Sequence, residues 1–187
     1  MKNIIFGLAL LTILGAFTAC ENPSNSSVSG DPPFHPPSSG INRVSFNHQY
    51  IHTQYVRDTY IGNITLPLLT VVSSTSELES YYDNYKALFN FELPPDQLYT
   101  PIGFLDAIKD YSDDFFENSF LVIILLHENS GSNRHEVEGV YDNGDIVINR
   151  LIPELGSADM AQWSIIIELD NNNKPEEFKT VLIEKQV

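Results

Sequence analysis

Residues 120–126 read Phe120-Leu121-Val122-Ile123-Ile124-Leu125-Leu126, an apolar run without interruption. The run has the length of a β-strand and is too short for a typical helix. A strand with no polar face suits the centre of a sheet that is covered on both sides. The run therefore predicts a buried central strand, and the rest of the fold is expected to build around it.

The residues after this run continue with strand patterns. Asp142-Asn143-Gly144 predicts a type I′ hairpin turn between strands at 135–141 and 146–152, because Asn-Gly accommodates the positive φ angles of that turn. Apolar and polar residues alternate over 162–169, which predicts another strand, and 178–185 has the pattern of the last one. Consecutive strands joined by short turns predict an antiparallel meander.

The residues before the run mix strand and helix patterns. Residues 44–56 alternate like a half-buried strand, and 68–72 form a second strand-like run. Ser76-Glu77-Leu78-Glu79 has the form of a capping box and opens an amphipathic helix. Thr100-Pro101 has the form of a cap and first position of a further short helix. These elements predict an α+β domain, in which one longer helix and one or two short helices pack on the meander sheet.

The N-terminal segment has the pattern of a removed leader. Lys2 precedes an apolar run at 4–14, which is shorter than the roughly 20 residues that span a bilayer as a helix. Phe17-Thr18-Ala19-Cys20 resembles the lipobox of bacterial lipoproteins, with Phe17 where the family usually has leucine. The resemblance implies cleavage before Cys20 and a diacylglyceryl group on its sulfur. The alternative is an ordinary secretory signal that is cleaved near Ala19 and leaves a free thiol.

This pattern divides the chain into three parts. Residues 1–19 are the predicted signal peptide. Residues 20–40 hold Cys20 and a linker rich in Pro and Ser, which has too few apolar side chains to order itself by burial. Residues 41–187 have the length of a single domain. We expect the chain on the extracytoplasmic face of the bacterial cell membrane, held there only by its lipid anchor.

Composition narrows the chemistry of the domain. Cys20 is the only cysteine, so neither a disulfide nor a thiolate metal site is expected. The chain has 10 Lys and Arg against 25 Asp and Glu, a net charge of −15. Such a surface repels phosphate backbones, so no nucleic-acid partner is expected. A basic partner or cations would be attracted, although acidity also serves solubility alone.

Four histidines are candidates for metal binding. His48 and His52 are four residues apart, which on a strand separates them by about 13 Å, too far for one ion. His127 and His135 would meet near the mouth of a hairpin that turns through residues 130–132. They are the histidines on which the alternative function, a metal-dependent or hydrolytic enzyme, depends.

The rest of the pattern gives this alternative little support. Glu128 and Glu136 lie next to the two histidines, but the sequence has no thiolate ligand and no tight zinc motif. Ser130-Gly131-Ser132 lacks the Gly-x-Ser-x-Gly signature of a nucleophile, so a flexible turn is the simpler interpretation. The acidic loop 170–177 lacks the glycine and ligand spacing of an EF-hand, and calcium binding there stays open. No cofactor is expected.

Three segments of the domain form a recognisable series: Tyr111-Ser112-Asp113-Asp114-Phe115-Phe116, Ser130-Gly131-Ser132-Asn133-Arg134-His135-Glu136-Val137 and Gly156-Ser157-Ala158-Asp159-Met160-Ala161-Gln162-Trp163. The series covers about residues 111–169 and resembles small uncharacterised lipoproteins of Gram-positive bacteria. The turn at 130–133 is similar to the Ser-Gly-Gly turn in the C-terminal domain of PrcB protease-complex proteins, with Ser132 and Asn133 replacing the rest of that motif. Both resemblances imply a binding or accessory module, and neither transfers a catalytic residue.

The expected function is therefore a tethered, non-enzymatic module that binds a protein or another envelope component. Loops carry binding residues more often than the core does, and Arg and Trp are favoured in interface hot spots. The candidate binding surface comprises Arg134, His135, Asp159 and Trp163, around the loop 153–163. Trp163 fits a core position better than a surface one.

Overall fold

A computed structural model describes residues 40–56, 64–93 and 102–187 of the chain. The predicted signal peptide, Cys20 and the linker up to residue 39 lie outside these ranges. Eight strands are described, in chain order β1 (Asn47–Tyr55), β2 (Leu68–Val72), β3 (Phe89–Asn90), β4 (Ser119–Glu128), β5 (Arg134–Val140), β6 (Asp145–Ile152), β7 (Ala161–Asp170) and β8 (Lys179–Gln186). The helices are α1 (Thr75–Tyr85), α2 (Phe104–Ile108), α3 (Asp113–Asn118) and a 3₁₀ turn at Asn171–Asn173. In the described ranges, no helix has both the length and the apolar character to cross a membrane.

The strands form two sheets. The first has the order β2-β4-β7-β1-β3, with antiparallel pairing throughout. The second has the order β5-β6-β8, in which β5 and β6 form an antiparallel hairpin and β6 pairs with β8 in parallel. The segment before β1 joins the sheets on one side, because Arg43 bridges to Tyr141 and the Val44 N–H donates to the Val140 carbonyl at 2.9 Å.

Strand β4 is the central strand that its apolar run predicts. Its residues from Phe120 to Leu126 are all buried, and it lies between β2 and β7. Phe120, Val122 and Ile124 pack in a core with Ile146 and Ile148 of the second sheet. The other set, Leu121, Ile123 and Leu125, packs in a second core with residues of the short helices such as Leu78 and Phe104. The alternation of strand side chains thus distributes one run between two cores.

The predicted α+β class is wrong. The protein is mainly β, with 46% strand against 19% helix and two sheets. The meander is also wrong, because β4 pairs with β2 and β7 whereas β5 belongs to the other sheet. The physical reason is that both faces of β4 are apolar, and the described helices cover only one of them. The β5–β6 hairpin has an apolar face of its own, which includes Ile146 and Ile148, and it covers the other face of β4 instead of extending the same sheet.

Local signals were more accurate than the topology. Strand β2 and the strand pattern of β7 are confirmed. The hairpin at Asp142-Asn143-Gly144 is confirmed, but its turn is not the predicted type I′. The Gly144 N–H donates to the Tyr141 carbonyl at 2.9 Å, so Asp142 and Asn143 are the central residues of the turn, and Gly144 follows them with a φ of 89°. The capping box was placed two residues late, because α1 is capped by Ser74, whose hydroxyl accepts from the Glu77 N–H at 3.2 Å. Thr100-Pro101 lies outside the described residues, and α2 begins at Phe104.

Candidate functional site

The end of β4 carries a buried carboxylate, Glu128, whose side chain is only 3% exposed. The Asn133 amide donates to it at 2.7 Å and the His135 Nε2 at 2.8 Å. Arg150 on β6 donates through Nε at 2.8 Å and through Nη2 at 2.6 Å. Glu128 therefore joins both ends of the turn between β4 and β5 to the second sheet.

These partners stabilise the charged form of Glu128. Burial alone would raise the pKa of the carboxyl, since it removes water from the anion. Hydrogen bonds from His135, Arg150 and Asn133 outweigh burial and lower the pKa from 4.5 to about 2. The group is thus a permanent anion at neutral pH and is saturated with donors, which suits a structural anchor better than a proton-transfer group.

An aromatic cluster extends the anchor towards β1 and β7. The Tyr50 hydroxyl is hydrogen bonded to His135 Nδ1 at 3.1 Å, and burial raises the pKa of Tyr50. The Tyr50 ring stacks on Trp163 at 4.7 Å between centroids, and the Arg134 guanidinium lies 4.8 Å from the Trp163 ring. The stacking joins β1 to β7, and the cation–π contact holds the start of β5 against β7.

Two loops, residues 129–133 and 153–160, meet beside the Glu128 cluster. We call them the paired loops. The Ser157 N–H donates to the Ser132 hydroxyl at 2.8 Å and to the Ser130 hydroxyl at 3.1 Å. The Gly131 N–H donates to the Asp159 carbonyl at 2.8 Å. Loops joined by backbone hydrogen bonds in this way have one preferred arrangement, so the serine turn is less flexible than the sequence suggests.

Gly131 allows the paired loops to approach closely. A β-carbon at this position would lie 2.3 Å from Asp159 Oδ2, well inside van der Waals contact. The hydrogen bond from Ser157 is the main cause that lowers the pKa of the Asp159 carboxyl, with smaller help from backbone N–H groups. Asp159 is exposed and remains ionised, so it gives this surface a fixed negative charge.

The second of the paired loops also exposes two large apolar side chains. Leu155 is 88% exposed and Met160 is 66% exposed. They flank Ser157 and Asp159, the residues that bind the loop to its neighbour. An apolar side chain in water on a constrained loop is a feature of contact surfaces, although single exposed apolar residues also occur without function.

The structure divides the four residues of the predicted binding surface. Asp159 is exposed and Arg134 is half-buried. His135 and Trp163 are buried, and Trp163 is a core residue as expected, with 1% of its surface exposed. The four lie in one region, but two of them support the paired loops from below instead of facing solvent.

The two histidines of the enzyme alternative do not face one another. His127 is exposed and its Nδ1 is hydrogen bonded to the Gln162 amide at 3.1 Å. His135 is buried against Glu128, and successive residues on β4 point to opposite faces, so His127 projects away from it. Within the described ranges, no group of three or more His, Cys, Asp or Glu side chains is placed to hold a metal ion.

The acidic loop 170–177 uses its first carboxylate locally. Asp170 Oδ1 accepts from the Asn172 N–H at 2.8 Å and from the Asn172 amide at 2.7 Å. The Asn171 amide donates to the Glu117 carbonyl at 3.2 Å. These bonds build the 3₁₀ turn and dock it on the end of α3, which gives Asp170, Asn171 and Asn172 structural roles in the loop.

Sequence reasoning missed the central residues of this site. Glu128 was considered only as a neighbour of His127, and Arg150 was not considered at all. One signal was available: Glu128 ends a strand that is otherwise apolar, and Arg150 interrupts an apolar strand, so each needs a buried partner of opposite charge. Leu155 and Met160 stand out as the apolar residues of a polar loop. Comparison of the chain with protein-family models, curated proteins and solved structures found no match.

Proposed function

We propose that the chain is a non-enzymatic binding or accessory module, tethered to the outer face of the bacterial cell membrane by a lipid on Cys20. Its contact surface is the paired loops, and its partner is a protein or another component of the cell envelope. The observation that supports this most is the combination of two exposed apolar side chains, Leu155 and Met160, with a loop held in place by Ser157 and Asp159.

Constraint makes this loop a better binding element than a free one. Ordering a loop on binding costs about 0.5–1.5 kcal/mol for each flexible side chain that becomes fixed. The hydrogen bonds of Ser157 and Gly131 already hold the backbone in the free protein, so less of this cost remains. Binding energy from Leu155 and Met160 can then appear as affinity.

The same surface indicates the chemistry of the partner. Glu154 and Asp159 are exposed beside the two apolar side chains, and the whole chain carries a net charge of −15. A complementary partner would offer an apolar pocket with basic residues at its rim. The charges would accelerate the encounter, whereas the apolar contacts would provide most of the affinity.

Replacement of both apolar residues is expected to abolish partner contact. In the double variant Leu155→Asp and Met160→Asp, two carboxylates would enter an apolar pocket without partners. A loss of more than 1.4 kcal/mol corresponds to at least a tenfold weaker complex. The measurement is recovery of the crosslinked complex from intact cells that produce the tagged chain, with thermal unfolding as the check on folding.

Val187→Asp is the matched control, because Val187 is 63% exposed, close to the exposure of Met160, but lies at the C-terminal end. We expect the control to recover the same complex as the wild type. The proposal is contradicted if the double variant folds normally and recovers the complex as well as Val187→Asp does, or if the wild type recovers none.

The lipid anchor makes a separate prediction. Cys20→Ser removes the sulfur that would carry the diacylglyceryl group, and no second cysteine can replace it. Because two acyl chains contribute about 0.8 kcal/mol for each buried CH₂, their loss should move the protein from the membrane fraction into the soluble fraction. Fractionation with metabolic labelling by an alkyne fatty acid tests this. If the wild type and Cys20→Ser associate equally with the membrane, and the wild type carries no fatty-acid label, then Cys20 is not a lipid anchor.

A further inference from the structure

The second sheet has an open edge along β8. Among the described residues, β8 pairs only with β6, and no strand lies on its other side. The strand is long for an edge, with eight residues, and most of its side chains are exposed or half-buried. A long edge strand offers a ready template for another strand.

The backbone groups at this edge can be assigned. The Lys179 N–H donates to the Gly144 carbonyl and the Val187 N–H to the Ile152 carbonyl, both at 3.0 Å. Because backbone groups alternate along a strand, odd-numbered residues of β8 bond to β6. The even-numbered residues therefore direct their N–H and C=O groups outward, namely those of Thr180, Leu182, Glu184 and Gln186.

The open edge lies beside an uncovered part of the first sheet. Phe178 at the start of β8 contacts Phe120 of β4 at 5.8 Å between ring centroids. Near the end of β8, Glu184 pairs with Arg150, which in turn binds Glu128 at the end of β4. The Phe178–Phe120 contact places the start of β8 over β4. Beyond β8, the described residues contain no further strand of the second sheet that could lie over β2, the next strand of the first sheet.

The side chains at this position are incompletely buried. Leu69 and Val71 of β2 point towards the core between the sheets but are only half-buried, whereas Val122 and Ile124 beside them on β4 are fully buried. Leu182 of β8 is 40% exposed. It aligns with Ile148 of β6, so it also faces the core side. These three apolar side chains lie on the inner faces of β8 and β2, each the last strand of its sheet, and we call the region between these two strands the opening.

We propose that this opening accepts an extended segment of another polypeptide, which pairs with β8 as an additional strand. This surface is separate from the paired loops, so the inference goes beyond the proposed function. The incoming backbone would bond to the even-numbered residues of β8. Its alternate apolar side chains would cover Leu69, Val71 and Leu182, and its other side chains would face solvent.

The geometry favours a single strand over a second copy of the chain. Symmetric pairing of two β8 strands would bring the two second sheets into one continuous sheet. Each β2 extends one strand beyond its own β8, so the two β2 strands would then compete for the same space. The pairing register that places Leu182 opposite its copy also places Lys179 opposite Lys185, and like charges opposite one another are unfavourable.

The charge of the chain specifies the segment further. With a net charge of −15, the protein repels acidic peptides. Lys179 and Lys185 on the solvent face of β8 would in turn repel basic side chains, so the accepted segment should alternate apolar residues with neutral ones. Parallel and antiparallel orientations both satisfy the outward groups of β8, and side-chain pockets would distinguish them.

A displayed peptide library tests this inference. The probe is a library of ten-residue peptides that alternate Val, Ile, Leu or Phe with Ser, Thr or Gln, selected on the full chain in detergent. A library of the same composition in scrambled order is its control. We expect enrichment from the alternating library only. In hydrogen exchange, the selected peptide should slow the amides of the even-numbered residues 180–186 at least tenfold.

Two variants identify the edge. Thr180→Pro removes one outward N–H, which an edge strand tolerates, and Leu182→Lys places a charge at the opening. Both should weaken the selected peptide at least tenfold. Leu155→Asp should not, which separates this site from the paired loops. If Leu182→Lys fails to fold, peptide binding by Thr180→Pro alone still tests the inference.

Three results would overturn the inference. They are equal enrichment from both libraries, peptide binding that Thr180→Pro leaves unchanged, and a concentration-dependent dimer of the wild type that Thr180→Pro abolishes. The last result would assign the edge to a second copy.

Discussion

Glu128→Gln is expected to lower the free energy of unfolding by about 3 kcal/mol at pH 7. The folded protein holds the pKa of Glu128 at about 2, against an ordinary value of 4.5, and each unit of difference corresponds to about 1.4 kcal/mol. The variant keeps the size of the side chain but leaves Arg150 without its buried counterion. Urea unfolding of wild type and variant measures the difference.

The pH dependence follows from the direction of the shift. The folded pKa of Glu128 lies below the unfolded one, so its contribution is complete above about pH 4.5 and is lost as the pH falls towards 2. The free-energy difference between wild type and Glu128→Gln should therefore shrink progressively as the pH falls from about 4.5 towards 2. Other carboxyls also titrate in this range, but they are common to both proteins and cancel in the difference.

Glu184→Gln is the matched control for this prediction. Glu184 pairs with the same Arg150, but its side chain is 62% exposed. Exposed ion pairs contribute roughly 0–1 kcal/mol, so the control should lose little stability. Equal losses in the two variants, or a difference for Glu128→Gln that does not change between pH 7 and pH 3, would show that Glu128 is not the buried anchor.

Gly144→Ala is expected to destabilise the protein by about 3 kcal/mol or more, in the upper range for single substitutions. Gly144 has a φ of 89°, and its new β-carbon would lie 1.9 Å from the Glu177 carbonyl oxygen. Backbone must move to relieve this contact, because no side chain can rotate away. Since the Gly144 carbonyl also accepts from the Lys179 N–H, the movement would disturb the start of the β6–β8 pairing. Chemical unfolding at pH 7 measures the loss.

Gly40→Ala separates the cost of the positive φ from the cost of the clash with Glu177. Gly40 also has a positive φ, 122°, but nothing lies within 4 Å of a β-carbon placed there. It should therefore show only the cost of an unfavourable backbone conformation, about 1–3 kcal/mol. If Gly144→Ala costs no more than Gly40→Ala, the close approach of the loop before β8 to Gly144 is not as described.

Patterns within one element predicted local structure, although not the fold class. The apolar run of β4 identified a strand buried on both faces, and Asn143-Gly144 identified the β5–β6 hairpin. These features depend on residues close in sequence, which determine local backbone conformation and burial. The wrong N-cap for α1 also has a local cause. Ser74 and Ser76 are each followed three residues later by a glutamate, so both match the capping-box pattern.

Pairing between distant segments was not predicted. Strand β7 pairs with β1 and β4. Strand β8 pairs in parallel with β6, although β7 lies between them in the sequence. Period-two alternation states which face of a strand is buried but not which strand lies beside it. For this reason the alternation over residues 162–169 predicts the strand β7 correctly but gives the wrong sheet arrangement.

The candidate site was predicted only in part, because contacts between distant segments leave no pattern in the sequence. Arg134, Asp159 and Trp163 were selected as loop or hot-spot residue types, and the structure places them together. Arg150 was missed because it reaches Glu128 from another sheet, and sequence spacing carries no trace of that contact. His127 and His135 were grouped on the assumption of a β4–β5 hairpin, which the structure replaces with a crossing between sheets.

The central claim is that the paired loops form one fixed surface supported by the Glu128 anchor. Amide hydrogen exchange of Gly131 and Ser157 tests it most directly, because these N–H groups make the bonds between the loops. We expect both amides to exchange at least about a hundredfold more slowly than in an unstructured peptide, and Glu128→Gln to remove most of this protection while the Gly144 amide is unaffected. Exchange of Gly131 and Ser157 at the unprotected rate in the wild type would contradict the claim.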